Sequence, residues 1–134
     1  GGLVGTLADY LRFCEMLRGG GALGEARLLG RKTVAMMASN WMGGDLTAMG
    51  QPTFSEMPYD GIGFGLGVSV VVDPAKTRAL YSSGEYAWGG AASTAFWIDP
   101  QEDMVVIFLT QVMPSSTYPL RRELRALVNA AVID

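Results

Sequence analysis

Gly84-Glu-Tyr-Ala-Trp88-Gly89-Gly90-Ala91-Ala-Ser-Thr94-Ala-Phe-Trp97-Ile-Asp99-Pro100 decides the fold of this chain. Its first half is a glycine-rich approach to a sheet edge, and its second half is a dense apolar strand closed by an Asp-Pro turn. Such an approach presents backbone N–H groups to a ligand while the strand behind it is buried. Downstream, Met104 to Val112 supplies a partner, so Ala91 to Ile98 and Met104 to Val112 are predicted to pair as a hairpin around Asp99-Pro100-Gln101-Glu102-Asp103. Met104 to Leu109 is apolar on both faces, which calls for cover on both sides of the sheet. Tyr118-Pro119 then opens a final helix with Pro119 near its first turn and Leu120, Leu124, Leu127, Val128, Ala131 and Val132 as a broad apolar stripe.

Upstream of the same stretch, Ile62, Phe64, Leu66, Val68, Val70 and Val72 alternate with Gly63, Gly65, Gly67, Ser69 and Val71. The alternation predicts one strand with a hydrophobic wall on one face and nearly bare backbone on the other, where another element can approach closely. Asp73-Pro74-Ala75-Lys76 reads as a turn, and Thr77 to Ser82 as a returning antiparallel strand. From Trp41 to Asp60 the pattern dissolves into Gly, Pro, Met and Ser; connections of that length are either functional rims or plain loop filling. Before it, a helix is expected from about Gly30 to Asn40, burying Val34, Met37 and Met36. At the start, Thr6 followed three residues later by Asp9 is a helix cap, and Leu7, Tyr10, Leu11, Cys14 and Leu17 form an apolar stripe that Gly19-Gly20-Gly21 ends. The order is helix, helix, long loop, four strands, helix. That is an α+β fold with an antiparallel sheet, without internal repeat or interdomain linker.

The 134 residues are 49 % hydrophobic and 17 % charged, with a mean hydropathy of +0.23, enough chain for one sizeable core and more apolar than a free-standing globule needs. Ten basic and 13 acidic residues leave a net charge of −3. Cations gather only at Arg27 to Lys32 and at Arg121, Arg122 and Arg125, which argues against a nucleic-acid partner. The single Cys14 excludes an internal disulfide and suits either side of a membrane, so compartment stays open. No apolar run has transmembrane length. The chain opens Gly-Gly-Leu-Val-Gly-Thr, with neither Met nor a signal-like segment, and so reads as the interior of a longer polypeptide.

Residue chemistry excludes most catalytic arrangements. With no His and one Cys, a structural zinc cluster, a Cys-His pair and a Ser-His-Asp triad all fail. Cys14 sits on an apolar stripe with nothing nearby to lower its pKa, which reads as core. Gln101-Glu102-Asp103 is a solvated turn. Gly63, Gly65 and Gly67 alternate along a strand, whereas a phosphate-binding loop needs its glycines between strand and helix. These residues can shape one wall of an active site without running a reaction alone.

Several blocks carry a family resemblance when taken in order and spacing: Gly1 to Phe13, Leu28-Leu29 with Lys32-Thr33-Val34, Gly61 to Gly67 through Asp73-Pro74, Ser83-Gly84 through Trp88-Gly89-Gly90, and Thr94 to Pro100. Together they resemble the C-terminal part of the serine β-lactamase-like and penicillin-binding-protein-like hydrolases, closest to class C β-lactamases and the related β-lactamase-fold esterases. The resemblance implies a partial domain over residues 1–134, with helices and an active-site rim in 1–60 and antiparallel strands plus the last helix in 61–134. Family chemistry uses a Ser-x-x-Lys pair, a Tyr-x-Asn or similar element, and Lys-Thr-Gly or a variant on the facing strand. Only the third has a counterpart here, Trp88-Gly89-Gly90; the first two are expected upstream of Gly1.

The departure at Trp88 bears on substrate. Where the lactamases and peptidases place a Lys that meets a substrate carboxylate, Trp88 offers an apolar face and one indole donor. The resemblance therefore implies a serine hydrolase cleaving carboxylic esters through an acyl-enzyme, the alternatives being a β-lactamase or D-alanyl carboxypeptidase of the same fold, or a non-catalytic binding protein. Ala91 falls at the family's oxyanion position, acting through its backbone N–H. Trp88, Gly89, Gly90, Tyr59 and Phe54 are the candidate substrate contacts, the last two from a Trp41 to Asp60 segment that would roof the acyl pocket with Met42, Met49 and Met57. Read without the family, Trp88 is a packed aromatic at a strand start and Trp97 a core residue. No cofactor or metal is implied. The expected partners are the missing N-terminal portion of the same protein, a small ester or lactam substrate, and, through uncovered apolar surface, a second copy; on its own the 134-residue piece is expected to be inactive.

Overall fold

The computed structural model describes residues 3–50, 53, 54 and 56–133, the side chains of residues 53 and 54 excepted. Helix α1 (Leu7–Arg18) begins at the cap predicted for it: Asp9 N donates to Thr6 Oγ1 at 3.2 Å and Thr6 N donates to Asp9 Oδ2 at 3.0 Å, so each residue satisfies an otherwise orphaned amide of the other. The stripe is buried only in the second half of the helix, at Cys14 and Leu17 and beside them Met16, while Leu7, Tyr10 and Leu11 are exposed. After the glycines, β1 (Ala22–Leu23) and β2 (Ala26–Arg27) pair as a small hairpin. Two-residue strands are too short to show a period, and sequence reasoning missed them. Helix α2 (Arg31–Met37) is shorter than expected, because Asn40 leaves the helix to bind the backbone elsewhere; Val34 is buried, but Met36 is exposed.

A second small hairpin, β3 (Thr53–Phe54) with β4 (Met57–Pro58), lies inside the segment read as loop. Next come β5 (Ile62–Phe64), β6 (Ser69–Val71), helix α3 (Pro74–Thr77), β7 (Tyr86–Gly89), β8 (Ala95–Asp99), β9 (Met104–Phe108) and helix α4 (Leu120–Ala131). The last five strands form one antiparallel sheet in sequential order. The α+β class is as expected, with five main strands where four were counted.

Three strand assignments are corrected, one of them only in its start: the strand read over Ala91 to Ile98 begins at Ala95, because Ala91 to Thr94 turn the chain back from β7. The single strand over Ile62 to Val72 is a hairpin in which Ile62 faces Val71, Gly63 faces Val70 and Phe64 faces Ser69. It reverses at Gly65 to Val68, where Gly67 takes φ +87° and Gly65 N donates to Val68 O at 2.7 Å. The predicted close approach is nevertheless present: a Cβ on Gly63 would run into the Asn40 side chain, and one on Gly65 into the Met37 carbonyl. Asn40 Oδ1 accepts from Phe64 N at 3.1 Å, and Leu66 N donates to Met37 O at 2.9 Å, tying the end of α2 to this hairpin. Thr77 to Ser82 is no strand. Pro74 starts α3, Arg78 ends it in the left-handed region at φ 55°, and β7 takes the place beside β6.

One face of the sheet, with Val70, Tyr86, Phe96 and Ile98, packs on Cys14, Met16, Leu17 and Val34 of α1 and α2 as the main core. Full burial of a side chain such as Ile98 contributes about 1.5–3 kcal/mol. The opposite face carries Trp97 and meets α4, though not as its leucine stripe predicted. The buried residues of α4 are Arg121 and Arg125, whereas Leu127 is 70 % exposed. Arg125 binds Glu85 through two hydrogen bonds of 2.7 Å and lies over the rings of Tyr81 and Trp97, at 3.7 and 4.4 Å. Burial pushes the Glu85 carboxyl up to about 7 against the pull of that guanidinium. A buried carboxylate without a partner is costly, so Arg125 is drawn inward, and of the predicted stripe Leu120, Leu124 and Val128 stay half-buried beside it.

Candidate functional site

The loop joining β7 to β8 is built from two hydrogen bonds, Gly90 N to Thr94 O at 3.0 Å and Ser93 N to Gly90 O at 3.1 Å. A three-residue hairpin loop of this kind needs a left-handed residue at its third position. Ser93 takes it, at φ 62°, and its fully buried hydroxyl donates to Val112 O at 2.7 Å, which holds a conformation that glycine would adopt more readily. Ala91 and Ala92 form the tip. Ala91 is exposed, and its N–H has no hydrogen-bond acceptor among the described residues.

Trp88 stands near the end of β7, where it lines both a groove on the α1 side of the sheet and a cavity on the α4 side. It is 37 % exposed, stands opposite Phe96 in the β7–β8 register, and meets the Phe64 ring edge-on at 5.1 Å between centroids. Tyr10 of α1 meets Phe96 in the same way at 5.4 Å. Between them runs a groove of about 250 Å³, lined by Tyr10, Trp88, Gly90, Thr94, Phe96 and Leu109. Its walls are aromatic and its rim is the β7–β8 loop, an arrangement that accepts an apolar acyl or alcohol group with a carbonyl near the loop.

Gly89 and Gly90 have packing reasons to be glycine. A Cβ on Gly89 would lie 2.9 Å from Arg121 Nε, and one on Gly90 would lie 2.5 Å from Thr94 Oγ1. Arg121, 7 % exposed, reaches from α4 to the far side of the loop. Its Nη2 donates to Gly90 O at 2.7 Å and to Thr94 O at 3.1 Å, its Nε to Thr94 O at 3.3 Å, and its Nη1 to Glu56 Oε2 at 2.9 Å. Sequence reasoning did not single out Arg121. The signal was an Arg pair spaced by four, Arg121 and Arg125, cutting through an apolar helix.

Tyr59 does not share the groove. It is buried on the α4 side with Met57, beside Trp97 and Arg121 around a cavity of about 70 Å³ that Trp88 and Gly89 also line, and burial raises its phenol pKa against the pull of Arg121. The backbone of Phe54 is in β3, and its side chain lies outside the described residues. Met42 and Met49 are exposed. The described part of the Trp41 to Asp60 segment packs against β5, with Leu46 N donating to Ile62 O at 2.8 Å and Gly61 N to Asp45 Oδ2 at 3.1 Å, and its Met57 and Tyr59 line the cavity on the α4 side and not the groove. Among the described residues no three His, Cys, Asp or Glu side chains gather to hold a metal ion, and no helix is long and apolar enough to cross a membrane.

The Beta-lactamase family profile matches residues 1–130. Protein Rv1367c and the uncharacterized protein MT1414, from two strains of Mycobacterium tuberculosis, are each 37 % identical over 118 residues, covering 85 % of this chain and 29 % of either relative. Among solved structures, EstCE1, described as a hydrolase with promiscuous acyltransferase activity, matches 92 % of this chain and 29 % of its own with a TM-score of 0.73 and 26 % identity. Unliganded selenomethionyl simvastatin synthase (LovD) from Aspergillus terreus matches 87 % of this chain and 30 % of its own, with a TM-score of 0.67 and 20 % identity, a likeness of fold alone. The chain thus spans under a third of the length of these relatives. With a profile match from Gly1 almost to the last residue, and an antiparallel sheet with helices on both faces behind it, the chain belongs to the beta-lactamase family.

Proposed function

We propose that this chain forms one wall and one oxyanion donor of a serine hydrolase that cleaves carboxylic esters through an acyl-enzyme, with the nucleophilic Ser and its Lys and Tyr supplied by sequence upstream of Gly1. The observation that carries the reading is the pairing of a half-open Trp88 side chain with an exposed, unengaged Ala91 N–H at the rim of one aromatic groove. In the proposed reaction the upstream Lys and Tyr take the Ser hydroxyl proton as its oxygen adds to the ester carbonyl, and the negative charge that develops on the carbonyl oxygen is met by Ala91 N–H and by the nucleophile's own amide. Collapse breaks the ester C–O bond, the same groups return the proton to the departing alcohol, and water then hydrolyses the acyl-enzyme. An acyl-enzyme resolved by water or by a second alcohol also accounts for both activities in the description of EstCE1. Trp88 replaces a cation with an apolar face, which favours neutral esters over carboxylate-bearing lactams.

The test is turnover by the full-length protein of a p-nitrophenyl ester and a penicillin side by side, together with labelling by a fluorophosphonate. Ester hydrolysis exceeding lactam hydrolysis, with one equivalent of label, is expected, and the isolated 134 residues should show neither. Faster lactam acylation would favour a lactamase or D-alanyl carboxypeptidase instead. Absence of labelling in the full-length protein would leave only a non-catalytic binding role.

A further inference from the structure

We infer that Arg121 is a positioning residue that sets the direction and donor strength of the Ala91 N–H by gripping the Gly90 carbonyl, an inference that rests on the oxyanion role proposed for Ala91. The Gly90 carbonyl and the Ala91 amide are the two ends of one planar trans peptide group, so fixing the oxygen fixes the N–H, which points the opposite way. The oxygen is held on the α4 side by Arg121 Nη2 at 2.7 Å, within the range of a charge-assisted hydrogen bond. The N–H is thereby aimed away from α4, toward the side of the sheet that carries the groove. A cation on the carbonyl also draws electron density from the amide, which makes its hydrogen a better donor to a developing oxyanion.

The grip is rigid because the guanidinium is held at every edge. Thr94 O, across the base of the same loop, accepts from Nη2 and Nε, and Glu56 in the turn of the β3–β4 hairpin takes Nη1 at 2.9 Å with both side chains largely buried. Gly89 leaves the space in which the guanidinium lies. Arg121 lines the cavity on the α4 side and not the groove, so its reach to the groove is through the loop. A lysine has a single nitrogen at its tip and cannot span Gly90, Thr94 and Glu56 from one position.

The experiment compares wild type, Arg121→Lys and Arg121→Met in the full-length protein, measuring kcat and KM on a neutral p-nitrophenyl ester and hydrogen exchange across the sheet. A donor that matters only as charge develops should change kcat and leave KM alone. The expected result is a fall in kcat of roughly 100-fold for Arg121→Met, within the range for loss of one oxyanion donor, and of about 10-fold for Arg121→Lys, with KM within about twofold of wild type. Amides of residues 90–94 should exchange faster while the β8–β9 pairs keep their protection. Unchanged kcat in a folded Arg121→Met protein would overturn the inference while leaving the ester-hydrolase reading intact. So would a loss of kcat accompanied by loss of protection throughout the sheet, since that marks a role in stability alone. A wild-type protein that is neither labelled nor active overturns the reading of the site and this inference with it.

Discussion

Four side chains carry chemistry that the sequence placed only in part. Trp88 could be read as core or as substrate wall, and its partial exposure beside the groove favours the second. In the full-length protein, Trp88→Ala should raise KM for neutral esters roughly tenfold, corresponding to about 1.4 kcal/mol of lost apolar contact. Trp88→Lys should move selectivity toward carboxylate-bearing substrates. Kinetics on both substrate classes decide the matter: equal losses on both, together with a large drop in Tm, would return Trp88 to the core. Cys14 was read from its stripe as inert, and it is fully buried, with burial and the neighbouring Glu15 charge pushing its thiol from 9.0 up to about 11. The folded protein therefore keeps a proton on this group that the unfolded chain gives up at lower pH. Its stabilising contribution is complete below about 9 and is lost as pH rises through about 11. Thiol labelling at pH 8 should proceed only at the rate of global unfolding, and fast labelling of the native protein would contradict this burial. The Arg125–Glu85 pair was invisible in the sequence. Removing one partner of a buried ion pair costs about 3–5 kcal/mol, so Arg125→Met should destabilise by that order, with Glu85 then protonated at neutral pH because nothing opposes its burial. Denaturant titration of the single variants and of Arg125→Met with Glu85→Gln measures the coupling, and independent, additive effects would show that the pair does not act as a unit.

At the scale of elements, what was legible depended on how local the signal was. The Thr6–Asp9 cap and the Asp99 to Asp103 turn each lie within a few residues, and both are where they were expected. The strand over Ile62 to Val72 failed because an alternating Gly-apolar pattern fits either one strand or two strands joined by a glycine turn; what separates them is the contact of Gly63 and Gly65 with the end of α2, more than twenty residues upstream. Helix α4 failed in the other direction. Its leucines promised a hydrophobic face, and Leu120, Leu124 and Val128 are half-buried, but the arginines take the innermost positions because the carboxylates of Glu56 and Glu85 and the loop carbonyls of Gly90 and Thr94 lay on that side.

Over the whole molecule, much apolar surface remains uncovered. Leu3, Val4 and Phe13 on the α1 side, Leu109 and Met113 after β9, and Leu127 and Ile133 at the far end are all exposed, and β5 and β9 are the two edges of the sheet. Covering even a few hundred Å² of such surface is worth on the order of several kcal/mol at about 25 cal/mol per Å². The isolated 134-residue polypeptide should accordingly self-associate, or bind the remaining polypeptide when it is supplied. Sedimentation decides this, and a cooperatively melting monomer at micromolar concentration would count against both outcomes. By itself the sequence determined the α+β class, the antiparallel hairpin behind Trp88-Gly89-Gly90 and the absence of the His or paired Cys that several mechanisms need, because composition, turns and period-2 patterning act over short stretches of chain. Only the tertiary structure decided that Tyr59 is buried beside α4 while Trp88 borders both the cavity there and the groove, that α4 buries charge, and that Arg121 grips the loop. Those outcomes depend on partners 31 and 65 residues away along the chain, Gly90 and Glu56, and an arginine pairs with a carbonyl or carboxylate according to where folding brings them, which no local pattern encodes.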